Sequence, residues 1–221
     1  GTMTTPPTID PAAVLWSAPP AERAGRPLLV LLHGYGSNER DLFSLTSHLP
    51  TEPVIAALRA PLTPPWPGQG YSWYAIEGLN GRDPGALTAS AEAVLAWADE
   101  HATDAASIAF LGFSQGGAMS LQLLRLAPER VAFAVNLSGY AAGGELPGDE
   151  VLAATRPPVF WARGALDEVI PQSAIEHTAA WLPEHSDLSG RIYPGLDHAV
   201  SLEVLADLRN FLALRYAPKG S

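Results

Sequence analysis

The sequence has 221 residues, 47% of them hydrophobic, and no cysteine, which suits one soluble domain with a substantial core and excludes a disulfide framework, a thiolate metal site and a cysteine nucleophile. A formal charge of −10 at pH 7, without a Lys/Arg cluster, disfavours a surface that tracks phosphates, so neither nucleic acid nor an anionic membrane is expected as a partner. No apolar run approaches the roughly 18 residues of a membrane span, residues 4–11 are too polar and Pro-rich for a signal core, and the expectation is a cytoplasmic protein with homodimerisation left open.

Gly1 and Thr2 before Met3 read as a cloning remnant, and one domain is expected over residues 1–221. Val14-Leu15-Trp16 offers a short antiparallel edge strand. Residues 28–32, Leu-Leu-Val-Leu-Leu, form a continuous apolar run ended by His33-Gly34, the pattern of a strand buried on both faces of a parallel sheet. Similar runs follow at 54–58, 107–111, 131–137 and 159–162, with a weaker one at 191–193. Helical spacing occupies 39–49, 84–101, 117–127, 173–182 and 201–216, and Asp83-Pro84 supplies an N-cap and a first-turn proline for the second of these. Strand alternating with helix predicts an α/β protein with a mostly parallel central sheet and helices on both faces.

Residues 60–82 interrupt this alternation with a loop rich in proline, glycine and aromatic rings. A loop longer than about 12–15 residues in a compact domain is usually functional or disordered, and this one leaves the carboxyl end of a strand. Trp66, Tyr71, Trp73 and Tyr74 are therefore candidate substrate-binding residues, with Trp73 the first choice for a pocket wall. The competing reading is an Ω-loop that its rings pack onto the body.

Gly112-Phe113-Ser114-Gln115-Gly116 matches the Gly-x-Ser-x-Gly pattern of a nucleophile elbow. At ordinary residue frequencies chance alone gives that pattern in roughly one chain of this length in ten, so its weight comes from context: an expected strand before it and an expected helix after it. A serine hydroxyl needs a base to take its proton and a carboxylate to orient that base. In parallel sheets reactive groups gather at the carboxyl ends of strands. Asp167 and His198 both lie just beyond a strand, in the chain order Ser, Asp, His found in α/β-hydrolase triads. Glu168 and Asp197 are the rival acids. His48, His101, His177 and His185 fall on or at the ends of helices and read as surface residues. No His-Glu-x-x-His or comparable spacing occurs, so no metal is assigned.

Acyl transfer also needs donors for the developing oxyanion. The N–H of Gln115, next after the serine, is one candidate, and the N–H of Tyr35, in the loop after residues 28–32, is the other, with His33 holding that loop. Gly34-x-Gly36 in the same loop also prompts a dinucleotide reading, which fails because Glu39 stands where the third small residue belongs.

Leu32-His33-Gly34-Tyr35-Gly36, the elbow followed by Gly117, Asp167-Glu168-Val169-Ile170-Pro171, and Gly195-Leu196-Asp197-His198 together resemble the phospholipase/carboxylesterase family of α/β hydrolases, which includes acyl-protein thioesterases and small bacterial esterases. The resemblance spans residues 28–211. It implies an α/β-hydrolase fold with minimal or no cap, a Ser114–Asp167–His198 triad, an oxyanion hole from the Tyr35 and Gln115 N–H groups, and no cofactor. The chain differs from the family's common pattern at Tyr35, Ser37 and Arg163, which bears on substrate rather than on chemistry. The expected activity is hydrolysis of short-to-medium acyl or aryl esters, small molecules all. An acyl thioesterase, a lysophospholipase and a non-catalytic binding protein on the same scaffold are the alternatives.

Overall fold

The computed structural model describes residues 5–63, 70–76 and 83–217. Among these, seven strands form one sheet: β1 (Leu15–Trp16), β2 (Pro27–Leu32), β3 (Val54–Leu58), β4 (Ser107–Phe113), β5 (Val131–Leu137), β6 (Pro158–Gly164) and β7 (Asp187–Tyr193). Their order is β1-β3-β2-β4-β5-β6-β7. Every pairing is parallel except β1 with β3. Six α-helices join them: α1 (Glu39–Phe43), α2 (Pro84–His101), α3 (Gln115–Leu126), α4 (Gly148–Thr155), α5 (Gln172–His185) and α6 (Leu202–Arg215).

Side chains alternate across a strand, so each apolar run feeds two cores. Leu28, Val30 and Leu32 of β2 join a cluster with Leu87, Val94 and Trp97 of α2 and with Met119 and Leu123 of α3. Leu29 and Leu31 face the opposite way, into a cluster with Leu42 of α1 and with Leu205, Leu208 and Phe211 of α6. The continuous rather than alternating hydrophobicity of these strands is thus the consequence of helices on both faces. No helix among the described residues is long and apolar enough to cross a membrane.

The expected elements differ from the observed ones in three places. Residues 39–49 do not make one helix: α1 stops at Phe43 and a 3₁₀ turn covers Thr46–His48. The Ser44 hydroxyl donates to the Asp41 carbonyl at 2.6 Å and the Thr46 hydroxyl to the Phe43 carbonyl at 2.6 Å, bonds through which short polar side chains compete with the helical ladder. Strand β7 begins at Asp187, four residues before the apolar stretch 191–193, because its first half is an exposed or half-exposed edge paired to β6. Helix α4 has no counterpart in the sequence reading. Only Leu152 of it is buried, so it carries no apolar period, and it is held instead by the buried Arg125, whose guanidinium pairs with Asp149 at 2.8 and 2.9 Å.

Strand order sets where chemistry can occur. From β2 the chain moves outward to β3 and then crosses back to β4 on the other side of β2, which leaves a crevice at the carboxyl ends of β2 and β4, the usual ligand position in open α/β sheets.

Candidate active site

The elbow follows β4 directly. Ser114 has φ 59° and ψ −113°, a backbone conformation that residues with a side chain rarely adopt. Its strain is sustained by the packing of the glycines on either side. A Cβ on Gly112 would lie 1.9 Å from the Gly116 carbonyl oxygen, and one on Gly116 would lie 1.9 Å from the Leu32 carbonyl oxygen. The flanking glycines therefore allow α3 to start against the ends of β4 and β2, and the sharp turn lifts the serine side chain out of the sheet. The Ser114 N–H is anchored on the Leu137 carbonyl of β5 at 2.7 Å.

Asp167 follows β6 and His198 follows β7, so the two side chains come from loops on neighbouring strands. His198 Nε2 lies 2.8 Å from Ser114 Oγ, and His198 Nδ1 lies 2.7 Å from Asp167 Oδ2. Asp167 Oδ1 accepts the backbone N–H groups of Val169 at 2.8 Å and Ile170 at 3.2 Å. Both carboxylate oxygens are thus used, one by the imidazole and one by its own loop. The carboxylate side chain is 2% exposed and the imidazole 18%, which shields the acid while leaving the base within reach of a bound molecule. The imidazole also rests 5.0 Å from the Phe113 ring. The rival acids are elsewhere: Glu168 and Asp197 are exposed, and the imidazole's carboxylate partner is Asp167.

A cleft of about 300 Å³ opens over these groups, and Gly34, Tyr35, Ser114, Gln115 and His198 are among the residues that line it. Among the described residues, neither the Tyr35 nor the Gln115 N–H is engaged in a backbone hydrogen bond, whereas the nearby N–H groups of Gly36 and Ser37 are both spent on carbonyls. Two free donors at the mouth of the elbow are what an oxyanion site needs.

His33 sits behind this loop rather than in the cleft. Its Nε2 accepts the Ala60 N–H at 3.0 Å, so the ring proton is on Nδ1, which donates to the Gly34 carbonyl at 2.7 Å. Burial drives its pKa below the ordinary histidine value, only partly opposed by the Gly34 carbonyl and by the Glu39 and Asp41 charges. A stability effect follows. The unfolded chain takes up this proton near pH 6.5 and the folded chain only at lower pH, so stability is full above that value and declines as pH falls below it. Urea midpoints measured from pH 7.5 down to pH 5 are expected to fall in the parent protein and to fall less in His33→Gln; equal slopes would contradict the assignment.

Of the aromatic residues expected to border substrate, Tyr74 lines the cleft, together with Ile76, Tyr140 and Val169. Its hydroxyl lies 2.6 Å from that of Tyr140. Trp73 does not line it. This ring is 1% exposed, and its Nε1–H donates to the His33 carbonyl at 2.7 Å. Tyr71 is likewise turned away: its backbone pairs with Ser37 and its ring lies 4.5 Å beneath the Arg59 guanidinium. Trp66 lies outside the described residues. The Gln115 carboxamide, for which the sequence carries no signal as a side chain, is 3% exposed and accepts the Trp73 N–H at 2.7 Å while donating to the Tyr74 carbonyl at 2.8 Å. No group of three or more His, Asp or Glu among the described residues is placed to hold a metal ion.

Residues 19–216 match the family model described as phospholipase/carboxylesterase. The chain belongs to the phospholipase/carboxylesterase family. This family membership makes it a carboxylic ester hydrolase by class. A probable carboxylesterase of rice, Oryza sativa subsp. japonica, is 28% identical over 91% of this chain and 83% of its own length. An acyl-protein thioesterase 1 of the yeast Debaryomyces hansenii is 32% identical over 52% of this chain and 50% of its own. Among solved structures, esterase PE8 superposes with a TM-score of 0.73 at 26% identity, covering 94% of this chain and 99% of that one. In this phospholipase/carboxylesterase family member the α/β-hydrolase fold brings Ser114, Asp167 and His198 together just beyond the carboxyl ends of β4, β6 and β7.

Proposed function

We propose that this protein is a serine carboxylesterase that cleaves small, uncharged carboxylic esters through an acyl-enzyme on Ser114, with its 221 residues acting as one hydrolase domain. The observation that carries the reading is the continuous hydrogen-bonded line from Ser114 Oγ through His198 to Asp167 at the floor of an open cleft. In the first half-reaction His198 Nε2 takes the serine proton as Oγ adds to the ester carbonyl, and the tetrahedral oxyanion is received by the Tyr35 and Gln115 N–H groups. Collapse expels the alcohol, which leaves with the proton held by His198. Water then repeats the sequence on the acyl-enzyme, giving the acid and free Ser114. Asp167 stays ionised throughout, fixing the Nδ1–H tautomer and stabilising the imidazolium.

Size and charge favour short acyl groups. Pockets for drug-sized ligands begin at about 300 Å³, the volume of this cleft. If a methylene takes about the 30 Å³ of a liquid water molecule, a sixteen-carbon acyl chain alone needs about 480 Å³. Among the described residues no Lys or Arg lines the cleft, and Asp41 does, so the described lining offers no cation for the phosphate of a lysophospholipid. The apolar walls Ile76, Val169 and Ile170 instead suit a butyryl-sized or aryl group. A thioester of similar size would meet the same triad.

A series of p-nitrophenyl esters of graded acyl length, run beside acyl thioesters, tests this. The four-carbon ester is expected to exceed the twelve-carbon ester in kcat/KM by about tenfold or more, since a chain that leaves the cleft loses its contacts there. A preference for long chains or thioesters would replace this substrate class with that of the thioesterases, and inactivity on all of them would favour a binding protein.

A further inference from the structure

The two oxyanion donors belong to different parts of the chain. Tyr35 lies in the loop after β2, and Gln115 begins α3 after β4. Covalent geometry does not set the distance between their N–H groups, yet an oxyanion site works only when its donors are held to a fraction of an ångström.

Segment 70–74 touches both. On the Tyr35 side, Tyr71 receives the Gly36 N–H at 2.8 Å and donates its own N–H to the Ser37 carbonyl at 2.8 Å. A Cβ on Gly70, whose φ is +75°, would lie 2.2 Å from the Gly36 carbonyl oxygen, so the two backbones run in direct contact. Two residues before Tyr35, the His33 carbonyl accepts the Trp73 indole N–H at 2.7 Å. On the other side, the Gln115 carboxamide brackets Trp73 and Tyr74, accepting the Trp73 N–H at 2.7 Å and donating to the Tyr74 carbonyl at 2.8 Å. Trp73, His33 and Gln115 are each at most 3% exposed. Neutral hydrogen bonds in such a dry setting are strong and costly to leave unmade.

We propose that Trp73 and the Gln115 carboxamide are positioning residues that hold the two halves of the oxyanion hole in register. This rests on the esterase reading above. The indole fixes the loop carrying Tyr35, the carboxamide fixes the first residue of α3, and segment 70–74 is the strut between them. Its burial explains why an aromatic ring next to the cleft is not part of the cleft wall.

The test uses Trp73→Phe, which keeps most of the ring and removes the indole N–H, and Gln115→Met, which keeps the backbone N–H and much of the side-chain volume. Four quantities are read for each: kcat and KM on p-nitrophenyl butyrate, melting temperature, and affinity for a trifluoromethyl ketone with the same acyl group and for the corresponding carbinol. Ser114 adds to the ketone carbonyl, placing an oxyanion in the hole; the carbinol has no carbonyl to add to. In each variant kcat is expected to fall by about tenfold to a hundredfold, less than the 10²–10³ typical of losing a donor outright. Ketone affinity should weaken by the same factor as kcat/KM, while KM and carbinol affinity stay within about threefold. If melting temperature falls but kcat and ketone affinity stay within about threefold, both groups only pack the core and the proposal is wrong. A loss of kcat without a loss of ketone affinity also overturns it. Should Trp73→Phe fail to fold, Gln115→Met decides by the same criteria. Failure of the parent protein to hydrolyse the ester or bind the ketone would sink the esterase reading itself, whereas an active parent with unaffected variants would sink only this inference.

Discussion

Ser114→Ala and His198→Ala are each expected to lower kcat on a short ester by about ten-thousandfold or more, with the two losses similar in size and not additive in the double variant. The proposed triad implies this. Ser114 Oγ is 2.8 Å from His198 Nε2, so the hydroxyl has one base, and the base has one proton to take; removing either leaves the same residue of catalysis from oxyanion donors and binding alone. Neither change should unfold the protein, because the Ser114 side chain caps nothing in α3 and His198 is partly exposed in a loop. Circular dichroism and melting temperature close to those of the parent are therefore part of the expected result. Additive losses would mean that the two side chains act in separate steps, and the triad would have to be abandoned.

Asp167→Asn is the second large effect, expected at about the same ten-thousandfold scale. An amide in place of Asp167 Oδ2, 2.7 Å from His198 Nδ1, can turn its NH₂ group toward the ring and hold the tautomer in which Nε2 carries the proton and cannot accept one. It also removes the charge that stabilises the imidazolium. The bonds from Val169 and Ile170 to Oδ1 keep the loop in place with either side chain, so the loss should appear in kcat with little change in KM. Glu168→Gln and Asp197→Asn, both at exposed positions, are expected to stay within about threefold of the parent, as surface substitutions usually do. A larger loss at either would move the acid's role away from Asp167.

The three candidate residues Ser114, Asp167 and His198, which the fold brings into hydrogen-bond contact, were legible in the sequence because each sits just past a strand, and strand ends are set by apolar runs that a parallel sheet makes conspicuous. Residues 28–32 and 54–58 were recognisable for the same reason, since burial on both faces leaves no polar positions to blur them, and 131–137 stayed recognisable with Asn136 as its single polar side chain. Where burial is one-sided the signal fades. The first half of β7 and the whole of α4, with Leu152 as its buried residue, show no pattern that burial would have imposed. Side-chain direction was the other thing hidden. Trp73 and Tyr74 are adjacent and equally aromatic, yet one reaches the His33 carbonyl from the core and the other lines the cleft. The Gln115 carboxamide bonds the backbone of both residues, a long-range contact spanning more than forty positions, and composition carries no trace of it.

Esterase chemistry at this site requires Ser114 Oγ to be the attacking atom. The most direct measurement is covalent labelling with a fluorophosphonate, followed by mass-spectrometric mapping of the modified peptide. The label is expected on Ser114 alone, at one equivalent per chain, abolished in Ser114→Ala and strongly slowed in His198→Ala. A label on another serine, or undiminished labelling of Ser114→Ala, would contradict it.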